Sequence, residues 1–158
     1  MEPTFEKLLG KLLENSVDFI LVGGLAVSLN GYVRLTEDVV ILLALNEENL
    51  NRFISTMAAF GGGFGGELEV EDFIGDEPGA IRIVEESEEC QIDVITNMGG
   101  THYEDLVGKS ESTGVAGHQL RYASKAQLIQ LKSSSNREKD QIDISALKQL
   151  IDNPKAFD

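Results

Sequence analysis

The sequence predicts an α+β (mixed α/β) fold, in which a small mixed sheet has helices packed on it and a helical pair follows at the C-terminus. Apolar strands are expected at residues 17–22 and 39–45, with a short helix between them. Residues 80–96 have the pattern of an antiparallel hairpin, and residues 124–151 carry two helical segments. Strands and helices mixed in this order are typical of that class.

The first elements are predicted from apolar spacing. A helix is expected at residues 4–15, because leucines recur there at helical intervals. Residues 17–22 then form an apolar strand, which turns at Gly23-Gly24 into a short buried helix at residues 25–29. This strand, turn and helix form the first part of a core predicted to span residues 17–96.

The middle of the chain alternates between buried and open segments. The continuous apolar run at 39–45 predicts a strand covered on both faces, and Asn46 begins an amphipathic helix. Residues 61–66 contain five glycines and predict a mobile loop. No Gly-Lys-Ser/Thr follows them, which excludes a phosphate-loop pattern. Residues 97–117, rich in Gly, Ser and Thr, are predicted as a long loop or short-helix region.

The C-terminal pair has clear end signals. Ser124, with Gln127 three residues later, has the pattern of a capping box that starts a helix at Lys125–Lys132. A polar break follows, and residues 137–150 form the last predicted helix before Asn153-Pro154.

Composition limits the classes of partner. The 158 residues include 13 Lys and Arg against 27 Asp and Glu, a net charge of −14. Such a chain repels phosphate backbones at long range, so extended nucleic-acid binding is not expected, whereas a local cationic pocket for a small anion remains compatible. The length predicts a single domain over residues 1–158.

The predicted compartment is the cytoplasm. Cys90 is the single cysteine, which excludes an intramolecular disulfide and fits a reducing environment. The first residues lack a basic segment followed by an apolar run, and no apolar stretch reaches about 18 residues. We therefore expect neither a secretory signal nor a membrane span.

Two carboxylates are candidates for catalysis. Asp38 opens the second strand, and Asp93 lies in the fourth strand with apolar residues on both sides. A charge inside such a strand needs a partner or a metal ion; the alternative for Asp93 is a strand-edge position that meets water or a loop N–H. Val40 shares a strand face with Asp38 by alternation. A carboxylate at position 40 would hold the same ion, and a valine does not.

The segment around Gly23 and Gly24 has two interpretations. A helix start offers free backbone N–H groups to an anion such as a phosphate, or the two glycines only permit a tight turn and close packing. Arg34 likewise either contacts a phosphate or pairs with Glu37 or Asp38.

These residues together resemble the signature of the nucleotidyltransferase fold, where a Gly-Gly turn precedes a Thr-x-Asp-x-Asp strand and a later third Asp. The matching residues are Gly23, Gly24, Arg34, Thr36, Asp38 and Asp93. Val40 departs from the pattern at the second Asp. The resemblance implies that Asp38 and Asp93 are catalytic and bind Mg²⁺ (or Mn²⁺), while Gly23, Gly24, Arg34 and Thr36 bind the nucleotide.

The C-terminal helices resemble those of AbiEii-type and related minimal nucleotidyltransferases, including antibiotic nucleotidyltransferases. There a Leu-x-x-x-Lys helix precedes an Arg-x-Lys-Asp-x-x-Asp helix. The resemblance implies that Lys132, Arg137 and Lys139 bring positive charge to the nucleotide. Asp140 and Asp143 share one helix face, and a structural role is expected for Asp143.

The implied activity is binding of a nucleoside triphosphate, such as ATP, with Mg²⁺ and transfer of a nucleotidyl group to an acceptor. That acceptor is a protein, a tRNA end or a small hydroxylated molecule such as an antibiotic, and the net charge weighs against tRNA without a partner's help. The alternative is a catalytically weakened or inactive member that binds nucleotide or a partner protein, as in a toxin–antitoxin or phage-defence pair. Val40 is the residue that separates these hypotheses.

Overall fold

The computed structural model describes residues 1–74 and 80–158. Within these ranges the helices are α1 (Pro3–Glu14), α2 (Gly23–Leu29), α3 (Glu47–Ala58), α4 (Tyr103–Val107), α5 (Lys125–Lys132) and α6 (Glu138–Asp152). The strands are β1 (Phe19–Val22), β2 (Val39–Leu43), β3 (Ile81–Glu85), β4 (Cys90–Ile95), β5 (Glu111–Val115) and β6 (His118–Tyr122). Single turns of 3₁₀-helix occur at Phe64–Glu67, Val70–Phe73 and Glu86–Glu88.

The described strands form a six-stranded sheet in the order β3-β4-β2-β1-β6-β5. Strand β2 runs antiparallel to β1 and parallel to β4, and β4 pairs with β3 in the predicted antiparallel hairpin. Strand β1 runs parallel to β6, which forms a second hairpin with β5. The predicted mixed sheet is confirmed, and β2 and β4 place their residues side by side.

Burial explains why β2 is central. Val39, Ile41, Leu42 and Leu43 are inaccessible to solvent, whereas Val40 is half-buried. A strand of β-branched and aliphatic residues needs cover on both faces, and this arrangement provides it. The one partly open position of β2 faces the cleft described below.

The C-terminal helical pair forms as predicted. The backbone N–H of Gln127 donates to Oγ of Ser124 at 3.2 Å, and the backbone N–H of Ser124 donates to Oε1 of Gln127 at 3.0 Å. This reciprocal capping box satisfies two N–H groups at the start of α5. Helices α5 and α6 pack against each other, and α2 contacts α5. None of the helices in the described residues has the length and apolar character needed to cross a membrane.

The loop prediction for residues 97–117 is wrong in part. The short helix α4 agrees with the predicted loop or short-helix region, whereas strand β5, which β6 follows directly, was not predicted. Strand β5 is an edge strand with the sequence Glu-Ser-Thr-Gly-Val, of which Val115 alone is buried. Since an edge strand needs little apolar surface, its composition resembles that of a loop.

The glycine-rich segment 61–66, predicted to be a mobile loop, is instead packed against α3. A Cβ atom added to Gly65 would lie 2.5 Å from Cβ of Met57. The buried carboxylate of Glu85 accepts the backbone N–H of Gly62 at 2.9 Å. The glycines at this position therefore permit close approach of the backbone to a helix.

Candidate functional site

A cleft of about 380 Å³ opens where the start of α2, strands β2, β4 and β3, and the α5–α6 pair meet. Eight of the nine site residues predicted from sequence line it: Gly23, Gly24, Arg34, Asp38, Asp93, Lys132, Arg137 and Lys139. The ninth, Thr36, is buried beside the cleft, where its hydroxyl donates to the backbone oxygen of Arg34 at 3.4 Å. The fold thus gathers residues that are widely separated in sequence.

Asp38 and Asp93 lie next to each other in the cleft. Asp38 immediately precedes β2, and Asp93 lies in the parallel neighbour β4, where its register partner is Val40. Burial raises the pKa of the Asp38 carboxyl, and the adjacent Asp93 carboxylate raises it further. Two carboxylates in contact disfavour full ionisation unless a cation joins them.

A basic residue that sequence analysis missed supplies such a cation. Arg82 of β3 is the register partner of Asp93 on its other side. Its Nε donates to Oδ1 of Asp93 at 2.8 Å and its Nη2 to Oδ2 at 3.0 Å. These bonds lower the pKa of Asp93. The sequence pattern predicts the β3–β4 hairpin. It does not predict which residues lie opposite each other, and only the strand register pairs Arg82 with Asp93.

One row of residues crosses the sheet beneath the cleft. Val22, Val40, Asp93 and Arg82 are successive register partners on β1, β2, β4 and β3. Partnered residues project from the same face of a sheet. Asp93 therefore lies between an apolar side chain and a guanidinium, with Asp38 as its carboxylate neighbour.

The donor set of the cleft fits a divalent ion that is carried by a nucleotide. Mg²⁺ is typically held by one or two carboxylates together with substrate phosphates, and the adjacent Asp38 and Asp93 supply two carboxylates. Val40 provides no third ligand. In the described parts of the chain, no cluster of three or more Asp, Glu, His or Cys is arranged to hold an ion.

Arg34 pairs with the last helix and not with Glu37 or Asp38, the two partners considered from sequence. Its Nε donates to Oδ1 of Asp143 at 2.8 Å, and its Nη2 donates to Oδ2 at 2.9 Å. Asp143 is fully buried and also lies 3.2 Å from Nζ of Lys132. Asp143 thus has the structural role expected from sequence, because it joins the loop before β2 to helices α5 and α6.

Asp140 is the second anchor of the C-terminal pair. It accepts hydrogen bonds from Lys132 at 3.0 Å, from Arg137 at 2.9 Å and from the Ser135 hydroxyl at 2.6 Å. Burial opposes ionisation of Asp140, but these three donors outweigh it and hold the pKa of the carboxyl below its usual value. The Lys132 ammonium is therefore buried between two carboxylates.

Arg137 and Lys139 leave positive charge accessible. The Arg137 side chain is mostly exposed despite its bond to Asp140. Lys139 is exposed, and no salt bridge to it occurs within residues 1–74 and 80–158. Among residues 1–74 and 80–158, the side chains that line the cleft include five basic and three acidic ones, a local charge of +2 in a chain of −14.

Packing accounts for both glycines at the start of α2. Gly23 has φ +78°, and a Cβ atom on it would lie 2.9 Å from Cγ2 of Val40. A Cβ atom on Gly24 would lie 2.8 Å from Nη2 of Arg34. The turn and its close packing are therefore enough to explain why both residues are glycine. The first N–H groups of a helix nevertheless lack partners within it, so the anion-binding interpretation of Gly23 and Gly24 stays a prediction.

Comparison with known proteins agrees with this architecture. Residues 3–157 match the family described as "Nucleotidyl transferase of unknown function (DUF2204)". Among solved structures, the lincosamide antibiotic adenylyltransferase LnuA, in its lincomycin-bound crystal structure, has a TM-score of 0.61 and 21% identity, covering 94% of this chain and 96% of LnuA. A search of curated proteins finds no match. The likeness to LnuA confirms the predicted nucleotidyltransferase fold, and the match over almost the whole sequence places this chain in the DUF2204 family of nucleotidyl transferases.

Proposed function

We propose that the protein binds a nucleoside triphosphate together with Mg²⁺ in the cleft and transfers its nucleotidyl group to a hydroxylated acceptor. The observation that carries this proposal is the convergence of two adjacent carboxylates and five basic side chains on one cleft of a strongly acidic chain. Membership of a nucleotidyl transferase family supports the same reaction class.

The reaction requires alignment and charge neutralisation more than covalent help from the protein. The acceptor oxygen bonds to the α-phosphorus while the bond from that phosphorus to the β-phosphate oxygen breaks. Pyrophosphate leaves with the bonding electron pair, and the hydroxyl proton passes to a cleft carboxylate. Lys139 and Arg137 contact the phosphates, and the N–H groups of Gly23 and Gly24 orient them. Mg²⁺, which Asp38 and Asp93 would hold, neutralises phosphate charge when bound.

A second candidate is a nucleotide-binding protein with weakened catalysis. Val40 favours it, because the side chain beside Asp93 contributes no ligand, and so does Arg82, which engages both oxygens of Asp93. The two candidates share the nucleotide site and differ in turnover.

For the acceptor we favour a small hydroxylated molecule over tRNA. LnuA, which is similar in fold, is a lincosamide antibiotic adenylyltransferase. The net charge of −14 also repels a polyanionic acceptor.

Calorimetry with the four nucleoside triphosphates, in EDTA and in Mg²⁺, tests the binding step. Lys139→Ala should weaken binding by about 1–2 kcal/mol, as expected for a charge-assisted hydrogen bond. Lys148→Ala is the matched control, because Lys148 is also exposed on α6 but does not line the cleft. Absence of binding at millimolar nucleotide would refute both candidates, and transfer of label from ATP to trial acceptors separates them.

A further inference from the structure

Two Arg–Asp pairs have similar geometry, and the arginine of each lines the cleft, but the pairs differ in burial. In the Arg34–Asp143 pair the side chains are 16% and 0% exposed, and in the Arg82–Asp93 pair they are 59% and 12% exposed. Water screens an exposed ion pair and so weakens it. Separating a buried ion pair is costly, because each charge then has neither a partner nor water around it. The Arg34 pair is therefore fixed, and the Arg82 pair is able to open.

We propose that Arg82 is a positioning residue that neutralises Asp93 in the nucleotide-free protein and is displaced from it by the divalent cation of an incoming metal–nucleotide complex. The inference rests on the proposed function, because the metal arrives with the nucleotide. Arg82 and the metal then compete for the same two carboxylate oxygens.

The surroundings of Asp93 make this competition direct. Arg82 donates a hydrogen bond to each oxygen of Asp93, so a metal ion that binds these oxygens must displace the guanidinium group. A guanidinium group that stayed in place would repel the metal ion, because both are positively charged. Among the described residues, Arg82 is the basic side chain that hydrogen-bonds to the Asp38–Asp93 pair; Lys139 acts on Asp38 only through its charge. Without Arg82, two adjacent carboxylates would lack a bonded cation.

Manganese binding in the absence of nucleotide provides the test. The electron paramagnetic resonance signal of free Mn²⁺ is lost when the ion binds, so a titration yields the dissociation constant. Arg82→Ala should bind Mn²⁺ about twofold to fivefold more tightly than wild type, the scale of an exposed ion pair. Arg82→Lys should be intermediate, since a lysine cannot form the two-pronged contact. Arg52→Ala, which removes an exposed pair on α3, should match wild type.

A second readout follows the fold. In EDTA, Arg82→Ala should melt below wild type, because Asp38 and Asp93 repel each other without a cation. Mn²⁺ should raise its melting temperature by more than it raises that of wild type. Arg82→Gln, which keeps a long polar side chain, serves as the second neutral variant if the alanine variant is not folded in EDTA.

The outcomes separate this inference from the proposed function. Mn²⁺ affinity that is equal or weaker in both neutral variants, or a stability loss that Mn²⁺ does not restore, overturns the role of Arg82. That result stands even if wild type binds nucleoside triphosphate. Tighter Mn²⁺ binding in the variants supports the role of Arg82, and wild type that binds no nucleotide refutes the proposed function separately.

Discussion

At the scale of single residues, Val40 determines how many carboxylates face the cleft. It is half-buried, lines the cleft and is the register partner of Asp93. The sequence analysis placed Val40 on the same strand face as Asp38, and the structure puts it at the cleft. The observed position at the cleft means that an acidic side chain there would reach solvent and any bound ion.

Val40→Asp should therefore make the protein less stable without metal and more stable with it. In EDTA we expect a loss of about 1–3 kcal/mol, the cost of a half-buried group without a partner, increased by repulsion from Asp93. Mn²⁺ should reverse this loss and bind more tightly than to wild type. Thermal melting with and without Mn²⁺ measures the first effect, and a Mn²⁺ titration measures the second.

Val40→Asn separates charge from shape in this experiment. It has nearly the same volume as the aspartate variant but no negative charge, so it should gain little Mn²⁺ affinity. If the two variants respond to Mn²⁺ alike, or if Mn²⁺ leaves Val40→Asp destabilised, position 40 is not part of a metal site.

At the scale of elements, α6 is attached through carboxylates on one face. Asp140 and Asp143 are three residues apart and so project together. They bind Lys132 of α5 and, through Asp143, Arg34 of the loop before β2. The same contacts that hold the helix in place also position the basic side chains of the cleft.

Asp143→Ala should destabilise the fold by about 3–5 kcal/mol, the cost of removing one member of a buried ion pair. Arg34 would lose both of its bonds to Asp143, and Lys132 one of its two carboxylate neighbours. Urea denaturation measures the change. Asp152→Ala, an exposed position in the same helix, should change stability by less than about 0.5 kcal/mol. Equal midpoints for Asp143→Ala and wild type would show that the pair contributes no net stability.

At the scale of the whole molecule, charge is distributed unevenly. The cleft-lining residues that the structure describes carry +2 while the whole chain carries −14, so the remaining residues carry a strong net negative charge. A triphosphate is small enough to contact only the cleft. A polynucleotide must also pass over the negative surface, which repels it.

ATP should therefore displace a fluorescent ATP analogue from the protein, whereas poly(A) at the same nucleotide concentration should not. Fluorescence anisotropy at about 0.15 M salt, where charges beyond about 8 Å are largely screened, provides the measurement. Displacement by poly(A) at this salt concentration would show that the negative surface does not protect the cleft.

The candidate site was predictable from sequence because its residues lie in short motifs. Strand alternation predicted that Asp38 and Val40 share one face of the strand. The resemblance of the C-terminal helices to those of nucleotidyltransferases added Lys132 and Lys139 to the predicted site. The partner of each charge was not predictable. Arg82 reaches Asp93 only through the register of a hairpin, and Arg34 reaches Asp143 across 109 residues of chain.

The sequence by itself determined the elements whose signals are local: the apolar run of β2, the capping box at Ser124, and the helical spacing of α1. Such patterns depend on residues a few positions apart, and they persist whatever surrounds them. Tertiary structure alone decided that the glycine-rich segment packs on α3, that the polar β5 joins the sheet edge, and that Arg82 neutralises Asp93. Each of these depends on which distant surface lies nearby, because close packing, edge pairing and ion pairing are properties of contacts between segments and not of any one segment.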